Sequence, residues 1–474
     1  MIIARQEELN IFKEAMTSDR SEFIAVYGRR RIGKTFLVHE AFNYTFTFQY
    51  SGIYKKSRTD QLTAFKNALK EAGVKSPETP ANWMEAFEML KDLIRASHAK
   101  KKVIFLDELS WMHTHRCDLI PALESFWNGW ASARKDVVLI VCASATSWMI
   151  KKIVHAKGGL YNRLTAQIWL QPFNLNECKM YVETLNLPFN NDQIIELYMI
   201  LGGVPYYWSL MKKNLGLPQN IDRLFFDSTP KLPNEFDYLF SSLFESPDNY
   251  VKIIEVLATK KLGMNYSEIM KNIGKDAGGT LSDMLEDLCN CGFIRSYRPF
   301  GGIKRGTLFQ LTDNFILFHF KYLTKKSSDP KFWEHNYTKP GLNSWRGLAF
   351  ERICLLHTEQ IKKALGISGL YTEVCSWKCE EDKEKGISGA QIDLLIDRDD
   401  KHVNVCEIKY SSDIFSIDKN YEEKLTTKLS SFRRATGTRK GVILTMITNH
   451  GLALNSHSGI VQASITANDL FASE

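Results

Sequence analysis

The sequence predicts an α/β fold: a parallel-sheet core near the N-terminus, a helical middle, and a second α/β domain near the C-terminus. Three stretches carry this expectation. In EFIAVYGRRRIGKTFLVHEAF an apolar strand runs into a glycine-rich loop and then a helical pattern. In KKVIFLDELSWM a second apolar strand ends in Asp107-Glu108, and in ISGAQIDLLIDRDDKHVNVCEIKY two apolar strands flank a polar turn. The first two are the alternation of a parallel, helix-covered sheet; the third is an antiparallel hairpin.

Size and composition set the frame. A chain of 474 residues, 44% hydrophobic and 24% charged, has the makings of a soluble globular protein with roughly two to four domains. No apolar run approaches the ~18 residues of a membrane span. The start MIIARQEELNIF lacks a signal-peptide pattern, so a cytoplasmic protein with no membrane partner is expected. The nine cysteines are scattered, and Cys142 and Cys406 lie inside apolar strands, as free thiols do. Cys289 with Cys291 and Cys375 with Cys379 lack a second pair at zinc spacing, which leaves them structural. The net charge of +7 permits a polyanionic partner without requiring one.

The first strand–loop–helix fits G-x-x-x-x-G-K-[ST] in its proper context. The nucleotide-binding set is Gly28, Arg29, Arg30, Arg31, Ile32, Gly33, Lys34, Thr35 and Phe36, joined by Asp107 and Ser144. Glycines let backbone N–H groups curl round a phosphate chain, and the helix N-terminus adds a favourable dipole. Lys34 would reach the β- and γ-phosphates of ATP, Thr35 would ligate Mg2+, and the three arginines form a cationic rim. After such a loop, Asp107 is placed to orient the shell of Mg2+ and Glu108 to polarise the attacking water. A third strand, DVVLIVCASATSWM, ends at Ser144, where a γ-phosphate sensor would sit. Arg163 stands just before a further strand; it is either an ordinary surface arginine or an arginine finger acting in cis or on a neighbour.

The stretches IIARQEELNIF, GRRRIGKT, FLDEL, LYNRLTAQI and LGGVPYYW (Leu201 to Trp208) together resemble the archaeal-type P-loop ATPases, relatives of AAA+ and STAND ATPases also found in bacteria. The resemblance implies a P-loop, AAA+-like ATPase core over 1–170, a helical lid over 171–240, a winged helix over 245–325 and a PD-(D/E)XK nuclease-like domain over 335–474. Periodicity alone shows only that 171–240 is helical. A homo-oligomer is compatible with Arg163 serving a neighbouring subunit.

From Asn249 three short amphipathic helices precede strands at Phe293–Tyr297 and Thr307–Leu311 with Gly301-Gly302 between them, the order of a winged helix-turn-helix. The hairpin carries Arg295, Arg298, Lys304 and Arg305 and no acid, which suits phosphate contacts on duplex DNA. Asp276, Asp283, Glu286 and Asp287 on the preceding helices argue instead for a packing module.

After the polar boundary DPKFWEHNYTKPG, a long amphipathic helix places Glu351 on one face with Leu348 and Leu355, either as a satisfied edge carboxylate or as a ligand. A hairpin turn centred on Asp400 sets Asp393 opposite Glu407, and two opposed carboxylates need a cation or a shared proton. Lys409 shares the face of Glu407. Asp393, Glu407 and Lys409, preceded by helical Glu351, resemble a PD-(D/E)XK core in a restriction-endonuclease-like domain. The resemblance implies that Asp393 and Glu407 hold Mg2+, that Lys409 positions the attacking hydroxide, and that Glu351 binds the metal through water or helps a second ion. The motif's proline is absent, since Gln391-Ile392 precedes Asp393. Residues 330–474 carry as many acids as bases; Lys424, Lys428, Arg433, Arg434, Arg439 and Lys440 form either a solvated helix face or a groove for nucleic acid.

Two functions remain in play. One is an ATP-hydrolysing protein whose nucleotide state controls a metal-dependent nuclease-like domain acting on nucleic acid, with DNA the favoured partner. The other is a regulatory or signalling ATPase that binds DNA or a partner protein without cleaving.

Overall fold

Long apolar runs build the first sheet. β1 (Glu22–Tyr27), β2 (Phe48–Ser51), β3 (Lys102–Asp107), β4 (Val137–Ala143) and β5 (Ala166–Trp169) pair in parallel in the order β2-β3-β4-β1-β5. β1 and β4 are buried along their whole length, as central strands of a sheet covered on both faces must be. One face packs on a core that includes Trp83, Phe87 and Phe126, the other on Phe12, Ile32 and Val38. Because β4 lies between β1 and β3 and all three are parallel, the segments leaving their carboxyl ends are neighbours. Those segments are the glycine-rich loop, Asp107-Glu108 and Ser144.

The computed structural model describes residues 2–274, 281–302, 306–325, 327–384 and 386–473. The chain divides into two units, Met1–Pro172 with Ser241–Glu245, and Phe173–Phe240 with Ser246–Glu474. In the second unit, helices Leu175–Thr184 and Asn191–Leu201 each begin with an Asn capping box, at Asn174 and Asn190, which satisfies the orphan N–H groups of the first turn. A Cβ at Gly203 would lie 1.7 Å from the Phe173 carbonyl oxygen, so the LGGVPYYW stretch needs glycine there for the backbones to touch.

Helices Pro247–Ala258, Tyr266–Ile273 and Leu281–Asn290 follow, with β6 (Met264–Asn265), β7 (Ile294–Tyr297) and β8 (Leu308–Leu311) in an antiparallel sheet of order β6-β8-β7. The basic hairpin expected from sequence differs from the one that forms. Arg295 points inward: its Nε donates to Gln310 Oε1 at 2.6 Å and its guanidinium lies over the Tyr297 ring. Cross-strand packing claims it, so it cannot serve a phosphate. Arg298 is exposed; Lys304, Arg305 and Asp276 lie outside the described residues.

The stretch expected as a boundary, 329–341, contains the helix Phe332–Asn336 with Trp333 buried. The Asp222 carboxylate accepts from the backbone N–H of Trp333 and Glu334 at 2.7 and 2.9 Å, a fixed arrangement. Beyond it, β9 (Thr372–Cys379), β10 (Ala390–Arg398), β11 (His402–Lys409), β12 (Gly441–Thr448) and β13 (Ala463–Thr466) form a sheet of order β13-β12-β11-β10-β9. β9, β10 and β11 are antiparallel, whereas β11, β12 and β13 run parallel. The long helices Gly341–Leu356 and Lys419–Thr436 belong to this region. Pairing of Leu394 with Cys406 and Leu395 with Val405 is the register of a turn centred on Asp400. All nine cysteines are free thiols. Among the described residues no helix is long and apolar enough to cross a membrane.

Candidate functional site

The glycine-rich loop between β1 and helix Lys34–Ala41 is shaped by its backbone. Gly28 has φ +146°, and a Cβ there would lie 2.3 Å from the Leu170 carbonyl oxygen. Gly33, at φ 91°, is the N-cap of the helix. Lys34 is buried, and its Nζ donates to the carbonyl oxygens of Gly28 and Arg29, both at 2.9 Å. The ammonium is thus held inside the loop, where a phosphate chain would lie. Ile32 anchors the loop in the core, Arg29 is buried, Arg30 and Arg31 are half-buried, and Phe36 is 47% exposed beside them.

Thr35 Oγ1 donates to Asp107 Oδ2 at 2.8 Å, and Asp107 Oδ1 accepts from the Glu108 N–H at 2.9 Å. Glu108 sits in the left-handed region, φ 47° and ψ 48°, which turns its side chain back over the sheet edge. There its Oε1 and Oε2 accept from the Ser144 hydroxyl at 2.9 and 2.7 Å, and Oε2 accepts from the Ser144 N–H at 3.1 Å. Burial pushes the Glu108 carboxyl above the ordinary range; Lys34 pulls against this and Asp107 adds to it. A hydroxyl and a carboxylate 2.8 Å apart are hard oxygen donors of the kind Mg2+ prefers, so Thr35 and Asp107 fit that ion. Arg163 lies in the turn before β5; it is exposed, and among the described residues nothing bonds its side chain.

The carboxylates of the C-terminal region fall into two groups. Glu351 and Asp393 are bridged by Lys261, from the segment between helix Pro247–Ala258 and β6: its Nζ lies 2.7 Å from Glu351 Oε1 and 3.0 Å from Asp393 Oδ2. Gln391 Nε2 donates to the other Asp393 oxygen at 2.7 Å. Burial pushes the Glu351 carboxyl up, with Asp393 adding to the shift and Lys261 opposing it. Glu407 belongs to a separate set, accepting from Tyr421 OH and Lys428 Nζ, both at 2.6 Å, with Lys409 Nζ at 3.2 Å. Burial alone would raise Glu407, but Lys428 and Lys409 outweigh it and hold it below the ordinary range.

Asp393 and Glu407 occupy the positions next beyond the paired Leu394 and Cys406, yet they pair with different lysines, Asp393 with Lys261 and Glu407 with Lys428 and Lys409. Among the described residues no three His, Cys, Asp or Glu side chains converge as a metal-holding group. Glu351 Oε2 is nevertheless buried without a hydrogen-bond partner, and the Glu351–Asp393 pair already holds one cationic group. This donor set therefore fits a hard cation in place of the ammonium. Of the basic cluster on and after helix Lys419–Thr436, Lys428 is spent on Glu407, Lys440 on Asp397 and Arg434 on the Gly386 carbonyl. Lys424, Arg433 and Arg439 are exposed.

Sequence reasoning missed Lys261, Tyr421 and Gln391 as partners of these carboxylates. Gln391 carried a usable signal, two residues before Asp393 on one strand face. Lys261 carried none beyond its charge.

Residues 2–211 match the model of a family described as "ATPase domain predominantly from Archaea". With the loop and carboxylate geometry above, the N-terminal part is a P-loop ATPase domain on a parallel sheet. An uncharacterized protein of Methanocaldococcus jannaschii is 25% identical over 416 residues, 86% of this chain and 88% of that one. Among solved structures, a Walker-type ATPase of Pyrococcus abyssi matches at 16% identity, covering 67% of this chain and 95% of its own, with a TM-score of 0.49. The ORC2 protein of Aeropyrum pernix, solved as ADPNP–ADP complexes, matches at 13% identity over 66% of this chain and 90% of its own, with a TM-score of 0.39.

Proposed function

We propose that this protein binds and hydrolyses ATP at Gly28–Phe36, Asp107, Glu108 and Ser144, and that its nucleotide state controls a metal-dependent nuclease-like domain acting on DNA. The observation that carries the ATPase reading is the paired contact of Thr35 with Asp107 and of Glu108 with Ser144, which joins three strand ends at one phosphate loop. Thr35 and Asp107 would hold Mg2+, which when bound neutralises charge on the phosphate oxygens. Lys34 leaves its two carbonyl acceptors for the phosphates. Glu108, released from Ser144, takes a proton from water as the water oxygen bonds to the γ-phosphorus. The bond from that phosphorus to the bridging oxygen then breaks, and ADP leaves with the bridging oxygen. Arg163, exposed and with no side-chain bond among the described residues, would serve as the finger of a neighbouring copy.

In this reading residues 245–325 are a winged helix, 171–240 a lid and 335–474 a restriction-endonuclease-like domain in which Glu351, Asp393, Glu407 and Lys409 do the chemistry. Exposed Arg298, Lys424, Arg433 and Arg439 would supply phosphate contacts. A second reading, a switch that binds DNA or a partner without cleaving, draws support from the lysines that pair with Glu351, Asp393 and Glu407.

One experiment on the full chain tests both parts. Phosphate release with Mg2+ should fall by about 10²–10⁴-fold in Glu108→Gln while ATP binding persists. Plasmid nicking with Mn2+ should vanish in Asp393→Ala; nicking retained in that variant rules out this site. Intact ATP turnover with no nicking in any nucleotide state selects the second reading.

A further inference from the structure

We infer that Lys261 is a built-in occupant of the cation position between Glu351 and Asp393, so that the helix-and-sheet module carrying it governs entry of a divalent metal. The inference rests on the nuclease-like reading of those two carboxylates. Lys261 reaches both at hydrogen-bond distance, 2.7 and 3.0 Å. Its side chain is 37% exposed, against 13% and 21% for Glu351 and Asp393. Of the three side chains the lysine is thus the one in most contact with solvent, while its Nζ lies against both carboxylates.

The contact is held from both directions. The Lys261 carbonyl accepts from Gln310 Nε2 of β8 and from Arg352 Nη2 of the Glu351 helix, both at 2.6 Å. Next in the chain, the Leu262 carbonyl accepts from Tyr297 OH at 2.6 Å, and that hydroxyl accepts from Ser376 Oγ of β9 at 2.9 Å. The backbone of this segment is thus tied to its own sheet and to the domain whose carboxylates it caps. A lysine on a freely moving loop would show neither tie.

Two further cations lie near the pair. Arg352 is 2% exposed, interacts with Glu351 and Asp393, and keeps Nε and Nη1 buried without partners. Arg295 also acts on Asp393 from the interior. These guanidinium groups act on the carboxylates from longer range, whereas Lys261 alone among the described residues pairs with both at contact distance, so withdrawal of the ammonium leaves the pair in need of a cation. Glu351 Oε2, buried and unpartnered, is the ligand atom the ammonium leaves unused. Withdrawal of Lys261 would present a pair of carboxylate donors to Mg2+ or Mn2+; its return would close the pair again.

The test is Mn2+ binding to the nucleotide-free full chain, read by the loss of the free-ion electron paramagnetic resonance signal. Lys261→Ala should bind Mn2+ at least about tenfold more tightly than the wild type, the scale on which neighbouring groups tune metal sites. Adding Asp393→Asn should abolish that gain, and Lys260→Ala, whose ammonium pairs with half-buried Glu268, should match the wild type. If Lys261→Ala fails to fold by circular dichroism, Lys261→Met, which keeps most of the aliphatic stem, replaces it in the same comparison. Equal Mn2+ affinity in the wild type and the folded variant overturns the inference. Plasmid nicking keeps the two readings apart: tighter Mn2+ binding without nicking upholds the plug and removes the nuclease. Nicking by the wild type with no gain in affinity does the reverse.

Discussion

The phosphate-loop site and the C-terminal carboxylate site both set acidic side chains at the ends of strands, but they neutralise them differently. Asp107 and Glu108 are met by hydroxyl and amide donors from Thr35, Ser144 and the Glu108 backbone. These donors satisfy hydrogen bonds without adding charge, and the Lys34 ammonium, turned to carbonyls, acts on Glu108 without bonding to it. Glu351, Asp393 and Glu407 are met by ammonium groups from Lys261, Lys409 and Lys428. In the proposed function the first arrangement receives a metal–nucleotide; the second already carries its cations. Two carboxylate sites of one chain can thus differ in readiness through the charge of the donor alone.

The contrast breaks most severely where the first site is built of backbone. Gly28→Ala should cost about 2–4 kcal/mol, from left-handed strain plus overpacking against Leu170. Denaturant unfolding of wild type and variant measures it, and a cost near zero would mean the loop is not backbone-determined. In the second site, Lys428→Met removes a charged hydrogen bond from half-buried Glu407 and should cost about 1.5–3 kcal/mol. Adding Glu407→Gln should restore part of that loss; if it does not, the ammonium was not compensating the carboxylate.

The smallest effects are in pH dependence, where the two sites move in opposite directions. Glu108 titrates above the ordinary carboxylate value because it is buried. As the proposed base it must be ionised to accept a proton, so ATP turnover should fall on acidification at a higher pH than a free glutamate would give. Glu407 is held below the ordinary value by Lys428 and Lys409 against the effect of burial. Its contribution to stability is full above the unfolded value and is lost as pH falls through the lower folded one. Acid unfolding of Lys428→Met should therefore begin at higher pH than that of the wild type, and coincident curves would contradict the assignment.

Some of this was legible in the chain because the physics is local. Gly28–Thr35, Asp107-Glu108 and the turn at Asp400 are short patterns whose backbone demands are met by neighbours in sequence, so loop, strand ends and hairpin register follow directly. The rest was settled by packing over long separations. Ser144 reaches Glu108 because β4 enters between β1 and β3. Arg295 reads as a basic wing residue in the sequence but is drawn inward by Gln310 and Tyr297. Lys261, 132 residues from Asp393, meets it only when the module and the second sheet pack together. A lysine's charge is visible in a sequence, but the carboxylate it neutralises is chosen by tertiary contact, since any exposed acid would serve an unfolded chain equally well.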